Sequence, residues 1–246
     1  MTVVRVRGIG LWFAGLAFAL AMTANSALNS AAGAAPDLSG TYWATSYSPN
    51  IQVMGGGDPP LNAAGKAAYE TNQAGLKDGS IVDKARRVCV PDGVPRVLAT
   101  PYPLEIFQVP AGQVTFLYEM NHQVRVIVMD KPLPAPESLI VDAKYNGHSV
   151  GHWDGDTLVV DTAGFNDRTF LDASGLPHGD DMRTVERIRK IGNRLEDIIT
   201  IHDPDMYAKD WQARFVYDER NDVRIEDYAC NDTHRDLSGV AGVRGH

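Results

Sequence analysis

Cysteine is nearly absent: Cys89 and Cys230 are the only two among 246 residues. That is too few for a disulfide scaffold and enough for one bridge. A basic excess is missing as well. The 23 Lys and Arg residues face 31 Asp and Glu, a net charge of −8, which excludes the electrostatic footprint of a nucleic-acid partner. The one continuously apolar stretch, Leu11 to Ala24, has 14 residues, short of the ~20 that span a bilayer. No G-x-S-x-G, H-E-x-x-H, P-loop or strand-linked G-x-G-x-x-G occurs, so the familiar signatures of hydrolases, zinc peptidases and nucleotide enzymes are excluded. What remains is an ordinary globular composition, 44% apolar and 22% charged.

The N-terminus has the layout of an export signal. Residues 1–34 contain Arg5 and Arg7 and no acid, then the apolar run, then the small-residue stretch NSALNSAAGAA. This predicts a signal peptide over 1–34 and a single domain over 35–246. The mature chain would be periplasmic or secreted and no longer bound to a membrane. Ala32-Gly33-Ala34 is one acceptable cleavage site. Export gives the cysteines an oxidising setting. A Cys89–Cys230 bridge is therefore expected, worth roughly 4–5 kcal/mol in the loop-entropy picture, tying the start of the core to its last strand.

Within the mature chain, 61–76 is the best helix, with Asn62 as its N-cap. From Leu104 onward short alternating runs are separated by turn residues. Asp154-Gly155 and Gly192-Asn193 between such runs are hairpin signals. Nine or ten strands are expected, the last being VRIEDYAC over 223–230. The predicted fold is all-β with minor α content: an antiparallel up-and-down meander closed into a lipocalin-like barrel, because closure removes exposed edges. A two-sheet sandwich is the alternative. Strand alternation places Arg125 with Ile127 and Met129 on one face, and Thr184, Glu186 and Ile188 together. An Arg125–Glu186 pair is expected if both point inward, because a buried charge requires a partner.

The polar connection GFNDRTFLDASGLPHGDD over 164–181 is placed where a lid or site loop would sit. A histidine beside a buried carboxylate is the usual equipment for proton transfer near neutral pH. His122 or His178 could fill that role, oriented by Glu186, Asp161 or Asp172. His148 and His152 lie on a strand, where four residues span about 13 Å, too far apart to share one ion. A divalent metal would instead need His122, His148 and His178 from different strands. The expectation is no cofactor, with that metal site as the alternative.

The segments PYPLEIFQ (101–108), HQVR (122–125), GHSVGHWDGDTLVVDTAGFND (147–167) and YACN (228–231) carry a resemblance over roughly residues 37–236. The chain resembles a large uncharacterised family of exported bacterial proteins. One departure is Gly179, where that family has Ser after Pro-His. The resemblance implies no activity. It points to His122, Arg125, His148, Ser149, Asn166, Asp172, His178 and Glu186 as positions to test, and packing alone rarely calls for so many His, Arg and Asn side chains. These residues favour an exported enzyme using His–carboxylate acid–base chemistry on a small molecule: a lyase, isomerase or hydrolase acting on an aromatic or sugar-derived compound. The alternatives are a lipocalin-like binder of an apolar ligand, and a structural domain whose barrel is filled with side chains.

Overall fold

Alternating runs joined by two-residue turns dictate most of the architecture. A computed structural model describes Met1 and residues 35–230; apart from Met1, the expected export signal lies outside the described residues. The strands are β1 (Gly40–Ala44), β2 (Leu104–Phe107), β3 (Gln113–Tyr118), β4 (Gln123–Met129), β5 (His148–Asp154), β6 (Thr157–Ala163), β7 (Arg183–Ile191), β8 (Arg194–His202) and β9 (Trp211–Glu219). They close into a nine-stranded barrel in sequence order. Asp154 pairs with Thr157 and Ile191 with Arg194, so both glycine turns are tight hairpins. Their glycines sit at φ 63°, as primed turns require. Closure comes from β1, which pairs antiparallel with β2 on one side and β9 on the other.

The helix α1 (Ala63–Asp78) starts where Asn62 accepts the Gly65 N–H at 2.9 Å and ends at left-handed Gly79. Two short helices follow, α2 (Lys84–Arg87) and α3 (Pro136–Val141). No helix among the described residues is long and apolar enough to cross a membrane.

Two features depart from the expected meander. First, β4 and β5 run parallel. The segment 130–147, carrying α3, crosses back before β5 begins, the longer connection that a parallel pair requires. Gly151 permits the close approach, since a Cβ there would lie 2.8 Å from Ile127 Cγ2. Second, residues 223–230 form no strand. β9 is already paired with β8 and β1, so a segment following it finds no free edge beside β9. This segment instead lies against the chain around residues 119–122: Glu226 N–H donates to Glu119 Oε2 at 3.0 Å, and Tyr228 N–H donates to His122 Nε2 at 2.9 Å.

The Cys89–Cys230 disulfide forms, across a separation of 141 residues. It joins the crossover before β2 to the segment after β9, not to the last strand itself. Replacing both cysteines by serine should lower unfolding stability by about 5 kcal/mol on the loop-entropy account. Urea unfolding of the wild type and the double variant measures this directly; equal midpoints would contradict the bridge's structural role.

Candidate functional site

Alternation sends Gln123, Arg125, Ile127 and Met129 inward from β4, and Thr184, Glu186 and Ile188 inward from β7. The side chains of Arg125 and Glu186 are 1% and 0% exposed. Arg125 reaches across the two intervening strands. Its Nε donates to Ser149 Oγ of β5 at 3.0 Å, and one Nη donates to Thr162 Oγ1 of β6 at 2.9 Å. The guanidinium grips Glu186 through both carboxylate oxygens, one at 2.8 Å. Ser149 and Thr162 are register partners whose hydroxyls lie 3.0 Å apart. Burial alone would depress the Arg125 pKa; the Glu186 charge reverses this and holds it above the usual arginine value.

A second carboxyl, Asp197 of β8, is buried against this pair. Desolvation and the adjacent Glu186 charge push its pKa well above the usual carboxylate range. Tyr118 and Tyr217 are buried close enough for its charge to act on their hydroxyls.

Open space lies at the seam between β4 and β5. Their parallel pairing covers three positions: Ile127 with Ser149, Val128 with Val150, and Met129 with Gly151. Gln123 to Val126 therefore have no β5 partner. A cleft of about 590 Å³ runs over this gap, within the usual range for small-molecule sites. One wall is apolar, formed by the outward Val124, Val126 and Val128 of β4 with Pro132 and Pro134. Lys131, Lys144, Tyr145, Asn146 and His148 supply the polar wall, and the inward Arg125 and Ser149 contribute at the gap. No acidic residue lines the cleft. Gly147 is required at its edge: its φ is +61°, and a Cβ would lie 2.7 Å from Thr162 Cγ2.

The His148 ring is oriented through Nε2, which lies 2.8 Å from the Asp142 carbonyl oxygen; a carbonyl only accepts, so Nε2 carries a hydrogen. The Asp142 carboxylate lies 3.6 Å from the same Nε2 and 3.1 Å from Lys144 Nζ. A His–carboxylate arrangement is present, built on residue 148.

The other expected site residues are dispersed. His122 is exposed, and its Nε2 accepts the Tyr228 N–H while lying 3.0 Å from Glu226 O. The His178 Nδ1 is 3.0 Å from Gly179 O in its own loop. Asp172 is a buried loop clasp, accepting from Ser174 N and Oγ, Leu176 N and Ile51 N. Asn166 caps a turn by accepting the Arg168 N–H at 3.1 Å. Asp161 is paired outward with Arg183. Among the described residues no group of three metal-ligating side chains gathers, so His122, His148 and His178 do not form the alternative metal site. At Gly179 a Cβ would lie 2.6 Å from Asp205 Oδ2, so the loop is packed to fit the missing side chain.

Sequence reasoning missed Lys131, Lys144, Tyr145 and Asn146. Two lysines flanking the proline-rich PLPAP of the crossover were the available signal, but only parallel pairing brings them beside β4.

Arg125→Met or Glu186→Leu alone should cost about 3–5 kcal/mol, because each strands a buried charge, and the double variant should recover most of the loss. A double-mutant cycle by denaturant unfolding checks this; additive losses would contradict the pairing. Asp197→Asn tests the raised carboxyl. A folded-state pKa above the unfolded value of about 3.9 means that stability falls as pH rises between the two. The Asn variant should therefore gain on the wild type from pH 4 toward neutrality, as read by melting temperature against pH; a gap independent of pH would contradict it.

No protein-family model matches the chain, and a search of curated proteins finds no match.

Proposed function

We propose that the chain is an exported enzyme that performs acid–base chemistry, without an organic cofactor, on a small carboxylate with an apolar body held in the β4–β5 seam. The supporting observation is the seam itself: a cleft with an apolar valine–proline wall facing Lys131, Lys144 and His148, and no acid in its lining. An anion entering it meets positive charge on a protein whose net charge is −8. The flat apolar wall favours an aromatic over a sugar-derived body. His148, oriented by the contact of its Nε2 with the Asp142 carbonyl, is the proton acceptor. Lys131 binds the carboxylate, and Lys144 joins it by exchanging its exposed Asp142 partner for the ligand. A lyase, isomerase or hydrolase reaction fits this equipment. The presence of an interchain-independent disulfide and the charge-free apolar N-terminal run support export.

A ligand-binding protein without turnover is the second reading. It is favoured by one observation: Arg125 already directs four hydrogen bonds to Ser149, Thr162 and Glu186.

The test is a mass-spectrometric screen of purified protein against aromatic and sugar-derived carboxylates. His148→Gln should reduce turnover about 10²-fold or more, the usual contribution of a general base. Lys131→Ala with Lys144→Ala should raise KM with little change in kcat. Binding with no turnover of any compound would establish the second reading. Turnover unaffected by His148→Gln would remove the proposed base.

A further inference from the structure

A second cleft lies at the end of the barrel, and its lining shares no residue with that of the seam. It has a volume of about 230 Å³ and is lined by Tyr47, Tyr102, Tyr228, Arg86, Asp92 and Arg96 among others. Its base is a buried ionic network. Arg96 grips Asp83 through two bonds of 3.0 and 2.7 Å, and its Nε lies 3.2 Å from Asp92 Oδ1. Asp92 Oδ2 accepts from Gln123 Nε2 at 3.3 Å and Asn121 Nδ2 at 3.4 Å. These charges are therefore fixed in place before any ligand arrives.

Arg86 differs from Arg96. Its side chain is 52% exposed, and its carboxylate neighbour, Asp83 Oδ2 at 3.6 Å, is already held by Arg96 at 2.7 Å. Arg86 is thus a cation at the cleft's lining with weak competition from the protein. The tyrosines line the same cleft, with Tyr102 and Tyr228 edge to face at 5.2 Å.

The wall carrying Tyr228 is built at a cost. The segment holding it has no secondary structure, yet it is tied by the Cys89–Cys230 bridge and by its hydrogen bonds to Glu119 and His122. Of the four non-glycine residues with positive φ among those described, Cys89, Asn121 and His122 lie at these tethers. Such backbone states are unfavourable for residues with a side chain and cluster where a binding surface is held in shape.

We infer that the barrel-end cleft is a binding site for a single-ring carboxylate, with the ring against Tyr102 and Tyr228 and the carboxylate on Arg86. The volume admits one ring, and the guanidinium matches a carboxylate's two oxygens. An aromatic acid and a sugar acid share this chemistry. The site is separate from the seam and does not depend on the function proposed there.

The test is NMR titration of protein carrying ¹³C-labelled tyrosine rings, with benzoate in one series and glucuronate in the other. Tyr47, Tyr102 and Tyr228 report the barrel end, and Tyr145 reports the seam. At least one probe should shift the three barrel-end rings in a saturable manner. Arg86→Gln should weaken that response at least tenfold while leaving the Tyr145 response unchanged. Response to benzoate alone identifies an aromatic acid, and response to glucuronate alone a sugar acid. Barrel-end rings that stay unmoved by both probes, or that respond equally in Arg86→Gln, would overturn the inference. A Tyr145 response without a barrel-end response would do the same while leaving the seam reading intact.

Discussion

The ion pair of Arg125 and Glu186 is the constraint around which the barrel is organised. A guanidinium and a carboxylate with side chains 1% and 0% exposed cannot stay inside unless each satisfies the other. Their geometry fixes more than themselves. Arg125 starts on β4 and Glu186 on β7, so the bond between them holds the inward register of both strands. Ser149 and Thr162, on the strands between, complete the donor set. A one-residue slip in β4 or β7 would turn one partner outward and leave the other charge buried alone. Replacing such a pair by apolar residues is often neutral or stabilising, so its value here is in specifying register more than in net stability.

The same pair shapes the barrel interior, which Arg125 crosses from β4 to β7 and in which Tyr118, Tyr217 and Phe116 are buried. The opening lies at the parallel junction, where β4 and β5 share three paired positions before separating. The crossover that makes them parallel also delivers Lys131, Lys144 and His148 to the gap. Fold irregularity and positive charge thus arise from one connection. In a chain of net charge −8, the lining of this cleft holds two lysines and no acid, although Asp142 lies within 3.1 Å of Lys144.

The sequence made the barrel legible because its signals were local. Asp154-Gly155 and Gly192-Asn193 specify hairpins from within four residues. The alternation of β4 and β7 grouped Arg125 with Ile127 and Glu186 with Ile188 without saying which face is inward, and the demand for a buried partner made the pair conditional on both facing in. The cysteine pair was readable from its count together with the export signal that the N-terminal sequence predicts. The parallel β4–β5 junction was not, because its direction is set by the path of 130–147 and not by the residues of either strand. The histidines were hardest. The backbone groups that engage His122, 104 and 106 residues away at Glu226 and Tyr228, have no sequence signature, and His148 is oriented by a carbonyl rather than by the carboxylates first considered. VRIEDYAC alternates like a strand, yet β9 is already paired with β8 and β1 and leaves it no edge there to join.

The most direct measurement is a crystal structure of the protein soaked with an aromatic carboxylate such as benzoate. The account predicts the anion at the seam, with its carboxylate near Lys131 or Lys144, its ring on the β4 valines, and Arg125 still bound to Glu186. A ligand found inside the barrel, with Arg125 drawn away from Glu186 to meet it, would contradict the placement of the site at the seam.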